Sequence, residues 1–151
     1  MEEILIECSP GVSGDMLLGA FYDLGVPKKI IEKTLASFGL ENLYYLNFRE
    51  SKSRSIRGIK VEIRKNDQST KRDWSTIKDL ILKAQLDKQL TKRIYQVFES
   101  LATAEGIVHG IDPDKVHFHE IGAIDSLVDI IGVCTSIEYL KPNKIFCNAP
   151  I

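Results

Sequence analysis

Two stretches of this 151-residue chain, Tyr44 to Phe48 and Ile59 to Ile63, alternate apolar and polar residues with a period of two, while most of the rest repeats its apolar residues at helical spacing. Strands half-buried in this way need a neighbour to hydrogen-bond and a layer to cover their apolar face. The two stretches therefore read as a hairpin under helices. The connection between them, Glu50-Ser-Lys-Ser-Arg-Ser55, is polar and is expected to be a mobile loop, and Asn66 to Arg72 reads as a second polar linker.

Ile4 to Cys8 is a short apolar run closed by Ser9-Pro10-Gly11, which suits a buried strand entering a tight turn. Ser13 is placed to cap a helix carrying Leu17, Ala20, Phe21 and Leu24, which Gly25 ends. Pro27 starts a second helix with Ile31, Leu35 and Phe38 on one face, ending at Gly39. After the second linker, Trp74, Ile77, Ile81 and Ala84 share a helical face. Leu90, Ile94, Val97, Phe98, Leu101 and Val108 mark a longer helix, a last helix follows Gly122, and Lys144 onward reads as a strand. The order implies an α/β fold, a single domain with a small mixed sheet covered by helices. The abrupt stop after that strand suggests a piece of a longer protein.

The 20 basic and 21 acidic residues nearly cancel, so no global field points to nucleic acid or an anionic membrane. Cys8, Cys134 and Cys147 are far apart and form no CxxC pair. Together with Glu2 and Glu3 at the N-terminus and no apolar run long enough for a membrane span, they point to a reducing cytoplasm.

Three places can carry chemistry. In Ser9-Pro-Gly-Val-Ser-Gly-Asp-Met16 a strand, a glycine-containing loop and a helix start follow one another, and the unpaired amides of such a helix start can cradle an anion. Asp15 would repel a bare phosphate yet could hold a cation between itself and one. A simple cap and turn would use the same residues. In Val116-His-Phe-His-Glu-Ile-Gly122, an extended backbone projects His117 and His119 to one side, where they can converge on a metal, and turns Phe118 inward. Glu120 would then support those ligands or act as a base. In the last helix Asp125 and Asp129 lie one turn apart on the face of Gly122, Gly132 and Ser136, in otherwise apolar surroundings. Carboxylates held there are costly unless bonded or metal-bound. Histidines and aspartates serving only structure remain the alternative at the second and third places.

The stretches Ser9 to Met16 and Val116-His-Phe-His-Glu-Ile-Gly-Ala-Ile-Asp-Ser-Leu-Val-Asp-Ile-Ile-Gly132 together resemble the signatures of the nickel-insertion proteins of lactate racemase cofactor synthesis. Leu18 to Pro27 and Ala104 to Gly110 resemble that family too, so the likeness runs through nearly the whole chain. It implies insertion of nickel into a pyridinium bis-thiocarboxylic acid mononucleotide, a cyclometallase (lyase) reaction that yields a nickel-pincer nucleotide. It also implies coupling to CTP hydrolysis with a divalent metal such as manganese or magnesium. Many members carry His-Arg-His before the third helix, where this chain reads Lys71-Arg72-Asp73-Trp74.

On this likeness residues 1–151 are expected to be the N-terminal domain of a longer nickel-insertion protein, incomplete as an enzyme without a C-terminal part that binds CTP. Ser13 and Gly14 are expected to bind the nucleotide, Asp15 and Glu120 to act in catalysis, and His117, His119, Asp125 and Asp129 to hold metal. Expected partners are the mononucleotide substrate and the C-terminal part, with homo-oligomerisation left open and neither nucleic acid nor membrane expected. A non-catalytic metal-binding or storage module is the alternative, and a plain interaction domain a third.

Overall fold

A computed structural model describes residues 3–9, 11–66, 72–118 and 123–148. Strand β1 (Glu3–Ile6) leads through the loop into helix α1 (Gly14–Asp23), followed by α2 (Lys28–Ser37). Strands β2 (Tyr44–Ser53) and β3 (Ile56–Lys65) come next, then α3 (Trp74–Lys83), α4 (Lys88–His109), a 3-10 turn at Pro113–Lys115, α5 (Ile124–Leu140) and β4 (Lys144–Cys147). The order is that expected from periodicity, and the fold is mixed α/β. The strands do not join one sheet, however. Among the described residues β1 and β4 form a parallel pair and β2 and β3 a separate antiparallel pair.

The hairpin is longer than the alternation suggests. Its ladder runs from Tyr44↔Lys65 to Ser53↔Ile56, so most of the expected loop is strand. Arg54 and Ser55 alone make the turn, at φ 46° and 69°. Positive φ at both central residues matches the right-handed twist of a two-residue hairpin, a role in which glycine or asparagine is usual. A sequence with neither gives no turn signal there.

One core joins the layers. Leu18 and Phe21 of α1, Ile31 and Leu35 of α2, and Leu127, Val128 and Ile131 of α5 are all buried. On the other side of the core Trp74 packs its ring 6.5 Å from Phe98 and 5.3 Å from Tyr95. The face of α1 is rotated from expectation, since Ala20 and Leu24 are exposed, whereas α4 buries Leu90, Ile94 and Phe98 as expected and exposes Val108 at the end of that face. In α1 the cause is Gly19, where a Cβ would stand 2.8 Å from the carbonyl oxygen of Ile59. The glycine lets the helix lie directly on β3, which turns Leu18 and Phe21 rather than Ala20 and Leu24 inward. In α4 the helix ends at Gly110, in the left-handed conformation, and past the buried Gly106 its last residues, Ile107 to His109, are exposed.

Helix α5 is the central element, with Ile124, Leu127, Val128, Ile131, Gly132 and Cys134 buried. Gly132 faces Leu18 and Ile31 rather than the aspartates, a correction to the face assigned from spacing. Ser136 is likewise fully buried and donates its hydroxyl to the carbonyl of Gly132 at 2.8 Å. Among the described residues no helix is long and apolar enough to cross a membrane.

Candidate functional site

Helices α1 and α5 pack against each other and both touch β3. Where they meet, a cleft of about 340 Å³ is lined by Asp15 from the first turn of α1, Asp125 and Asp129 from α5, and Val61, Glu62 and Ile63 from β3. Two of the three places singled out in the sequence thus form one site.

Gly14 makes the approach possible. A Cβ built on it would lie 2.5 Å from Cβ and Cγ of Asp129 and 2.6 Å from its Oδ2, so a larger residue there would displace the carboxylate. Asp129 consequently sits against backbone, with its Oδ1 buried and no hydrogen-bond partner among the described residues. Burial, and then the charges of Asp15 and Asp125, push its pKa up to about 7. A buried acceptor left unmet costs about 1–3 kcal/mol, and a cation would satisfy the oxygen and screen its neighbours together.

Ser13 stands at the N-cap position in extended conformation, but its side chain makes no cap hydrogen bond, contrary to expectation. The hydroxyl instead donates to Oδ1 of Asp15, which also accepts from the Met16 amide at 2.9 Å. The charge-assisted bond to the neighbouring carboxylate orients the Ser13 side chain toward Asp15, and its oxygen accepts from no first-turn amide. Asp15 is thereby held at the cleft. Asp125 is half exposed, with Nζ of Lys65 at 3.8 Å. Glu62 is bound by Arg64 at 2.7 Å, and that bond holds its carboxyl below the usual range.

The loop is therefore a poor receptor for a bare phosphate. First-turn amides of α1 are oriented as an anion site requires, yet Asp15 and Asp129 stand beside them, so an anion is favoured there only with a cation between. Carboxylate oxygens suit divalent cations. Among the described residues no group of three or more His, Cys, Asp or Glu is close enough to hold a metal as it stands. The three aspartates share a cleft without a closed cage.

His117 does not line this cleft. It is exposed between buried Val116 and Phe118, as an extended backbone demands, and forms an isolated bridge with Asp73. Asp73 caps α3 by accepting from the Thr76 amide at 2.7 Å. His119 and Glu120 lie outside the described residues. Sequence reasoning missed Glu62, which lines the cleft, and the approach of Cys147 to Cys8.

The sequence profile described as nickel insertion protein matches residues 4–151. This chain belongs to the nickel insertion protein family. Relatives named for nickel insertion include one from Gloeothece citriformis, 37% identical over 95% of this chain and 38% of its own length. Another from Acaryochloris marina is 38% identical over 95% of this chain and 37% of its own. A third, from a Synechocystis species, is 37% identical over 95% and 36% respectively. The chain thus spans a little over a third of the length of these family members. No solved structure matches it.

Proposed function

We propose that this chain is the metal-receiving part of a nickel insertion protein, in which Asp125 and Asp129 hold nickel as cargo at the cleft, and His117, outside the cleft, takes part with His119 in capturing it, before its transfer to a pyridinium bis-thiocarboxylic acid mononucleotide. The observation that carries this reading is Asp129 itself, which lines a cleft with Asp15 and Asp125 while its Oδ1 is buried with no hydrogen-bond partner among the described residues. Ser13 and Gly14 position the substrate's phosphate through the amides at the start of α1, with a cation offsetting Asp15.

The donor set suits a transient holder. Nickel binds sulfur more strongly than carboxylate oxygen, so transfer to the thiocarboxylates of the substrate runs downhill. Forming a nickel–carbon bond replaces a C–H bond, and the released proton needs an acceptor. Asp129 gives up its proton when nickel loads and is free to take one when nickel leaves, since its pKa of about 7 lies where both forms are populated. Asp15 and Glu120 are the further carboxylates to which this reading assigns acid–base work. CTP hydrolysis, with manganese or magnesium, belongs in this scheme to the remaining length of the full protein.

The test is incubation of the full-length protein with nickel, the thiolated mononucleotide and CTP, with nickel incorporation into the nucleotide followed by mass spectrometry. Asp129→Asn and Asp15→Asn should each lower the rate by about 10²-fold, the usual scale for a lost acid–base or metal-positioning group. Unchanged rates in both would refute the site. Nickel binding by the native protein without any nucleotide product would favour the storage module instead.

A further inference from the structure

Strands β1 and β4 run parallel, with Ile6 opposite Cys147, and the chain at the end of β1 brings Cys8 alongside. The sulfur atoms of Cys8 and Cys147 lie 3.0 Å apart, although 139 residues separate them in sequence. Both are free thiols. Asn148 fixes the two chain segments at this point, because its Oδ1 accepts from the Cys8 amide at 2.5 Å and its Nδ2 donates to Oγ of Ser9 at 2.8 Å and to Glu7. Cys8 is buried and Cys147 exposed. The third cysteine, Cys134, is enclosed in α5, where burial pushes its thiol up to about 11.

We propose that Cys8 and Cys147 are a thiol–disulfide pair that closes by exchange with a low-molecular-weight disulfide and staples β1 to β4. Sulfur movement of roughly 1 Å, within the range of side-chain rotation, separates the present contact from a bond of about 2.05 Å. Access sets the order of events. The exposed Cys147 loses its proton and attacks the external disulfide, giving a mixed disulfide and one released thiol. Cys8 then attacks the Cys147 sulfur, and the second external thiol leaves. The pair loses two electrons and two protons, and the external disulfide is reduced to two thiols.

A two-thiol set fits this chemistry better than a metal site, since among the described residues no third His, Cys, Asp or Glu joins the pair at metal-holding distance. The staple bears on the carboxylate cleft through the chain. The Cys8 carbonyl accepts from the Gly11 amide at 2.8 Å, so Cys8 anchors the base of the loop that ends at Ser13 and Asp15. In reducing surroundings such pairs open and close rather than persist.

The experiment exposes the protein to excess oxidised glutathione, then denatures and alkylates it and counts free thiols by mass spectrometry. The native protein should fall from three free cysteines to one, Cys134, with no glutathione attached, and dithiothreitol should restore all three. Its Tm should rise on oxidation by on the order of 10 °C, because the closed loop spans almost the whole chain. Cys8→Ser should stop at a glutathione adduct on Cys147, with folding checked by circular dichroism. Three free thiols after oxidation, or a lasting glutathione adduct on native Cys147, would overturn the proposal.

Discussion

The backbone of Gly14 and the carboxylate of Asp129 occupy adjoining space, so closely that a single added methyl carbon on Gly14 would fall 2.5 Å from Cβ and Cγ of Asp129. The relation links the two motifs most separated in sequence, the loop before α1 and the acidic turn of α5. Gly14→Ala should destabilise the fold by about 1–3 kcal/mol, the usual cost of overpacking. It should also weaken nickel binding at least tenfold. Adding Asp129→Ala should recover most of the stability but none of the binding, and chemical denaturation of the two variants and the double variant would measure that coupling.

Asp129 also sets a pH dependence. Its folded pKa of about 7 lies above the ordinary 3.8, so between those values the folded state binds more protons than the unfolded one. Stability contributed by this group is therefore full at low pH and is lost as pH rises from about 4 to 7, by at most about 4 kcal/mol less the solvent screening of the exposed part of the carboxylate. Asp129→Asn removes the loss. Its Tm relative to the native protein should climb across that window and level off above it, as scanning calorimetry at stepped pH would show. A flat difference would mean that the carboxylate is ionised throughout.

On the proposed reading, nickel and the proton compete for the Asp129 carboxylate. Affinity for nickel should rise with pH up to about 7 and then flatten, with proton uptake into buffer measured as buffer-dependent binding heat. Asp129→Asn should abolish that heat difference, and any persistence of it in the variant would move the titrating group elsewhere.

Two glycines that hold α1 in place should differ in cost. A Cβ at Gly19 meets the Ile59 carbonyl oxygen at 2.8 Å, while one at Gly132 meets the flexible end of Leu18 at 2.7 Å. Both substitutions gain about 1 kcal/mol of helix propensity, but Gly19→Ala must move backbone whereas Gly132→Ala displaces only the side chains of Leu18 and Ile31, so Gly19→Ala should cost about 1–3 kcal/mol more. Urea denaturation of both variants checks the order.

Much of the fold was legible in the sequence because periodicity reports burial directly. Ile31, Leu35, Trp74, Ile77 and Ile81 are buried where spacing put them. Close backbone approach leaves no such trace. Gly19 rotated α1, Arg54 and Ser55 turned a hairpin without a glycine, and among the described residues the strands form two separate pairs instead of one sheet. In the site, Asp15, Asp125 and Asp129 were visible as carboxylates in the wrong surroundings, but their convergence depends on α1 crossing α5 at Gly14, a contact no spacing encodes. His117 shows the converse. Its outward direction follows from the alternation of Val116 and Phe118, yet direction alone does not bring it to the cleft.

The most direct test of the account is calorimetric titration of nickel into the native protein, Asp129→Asn and His117→Ala, each verified as folded by circular dichroism. The account predicts binding in the native protein that falls at least tenfold in Asp129→Asn, with a smaller loss in His117→Ala. Equal affinity in the native protein and Asp129→Asn would contradict it, and would assign the buried carboxylate to the structure of α5 alone.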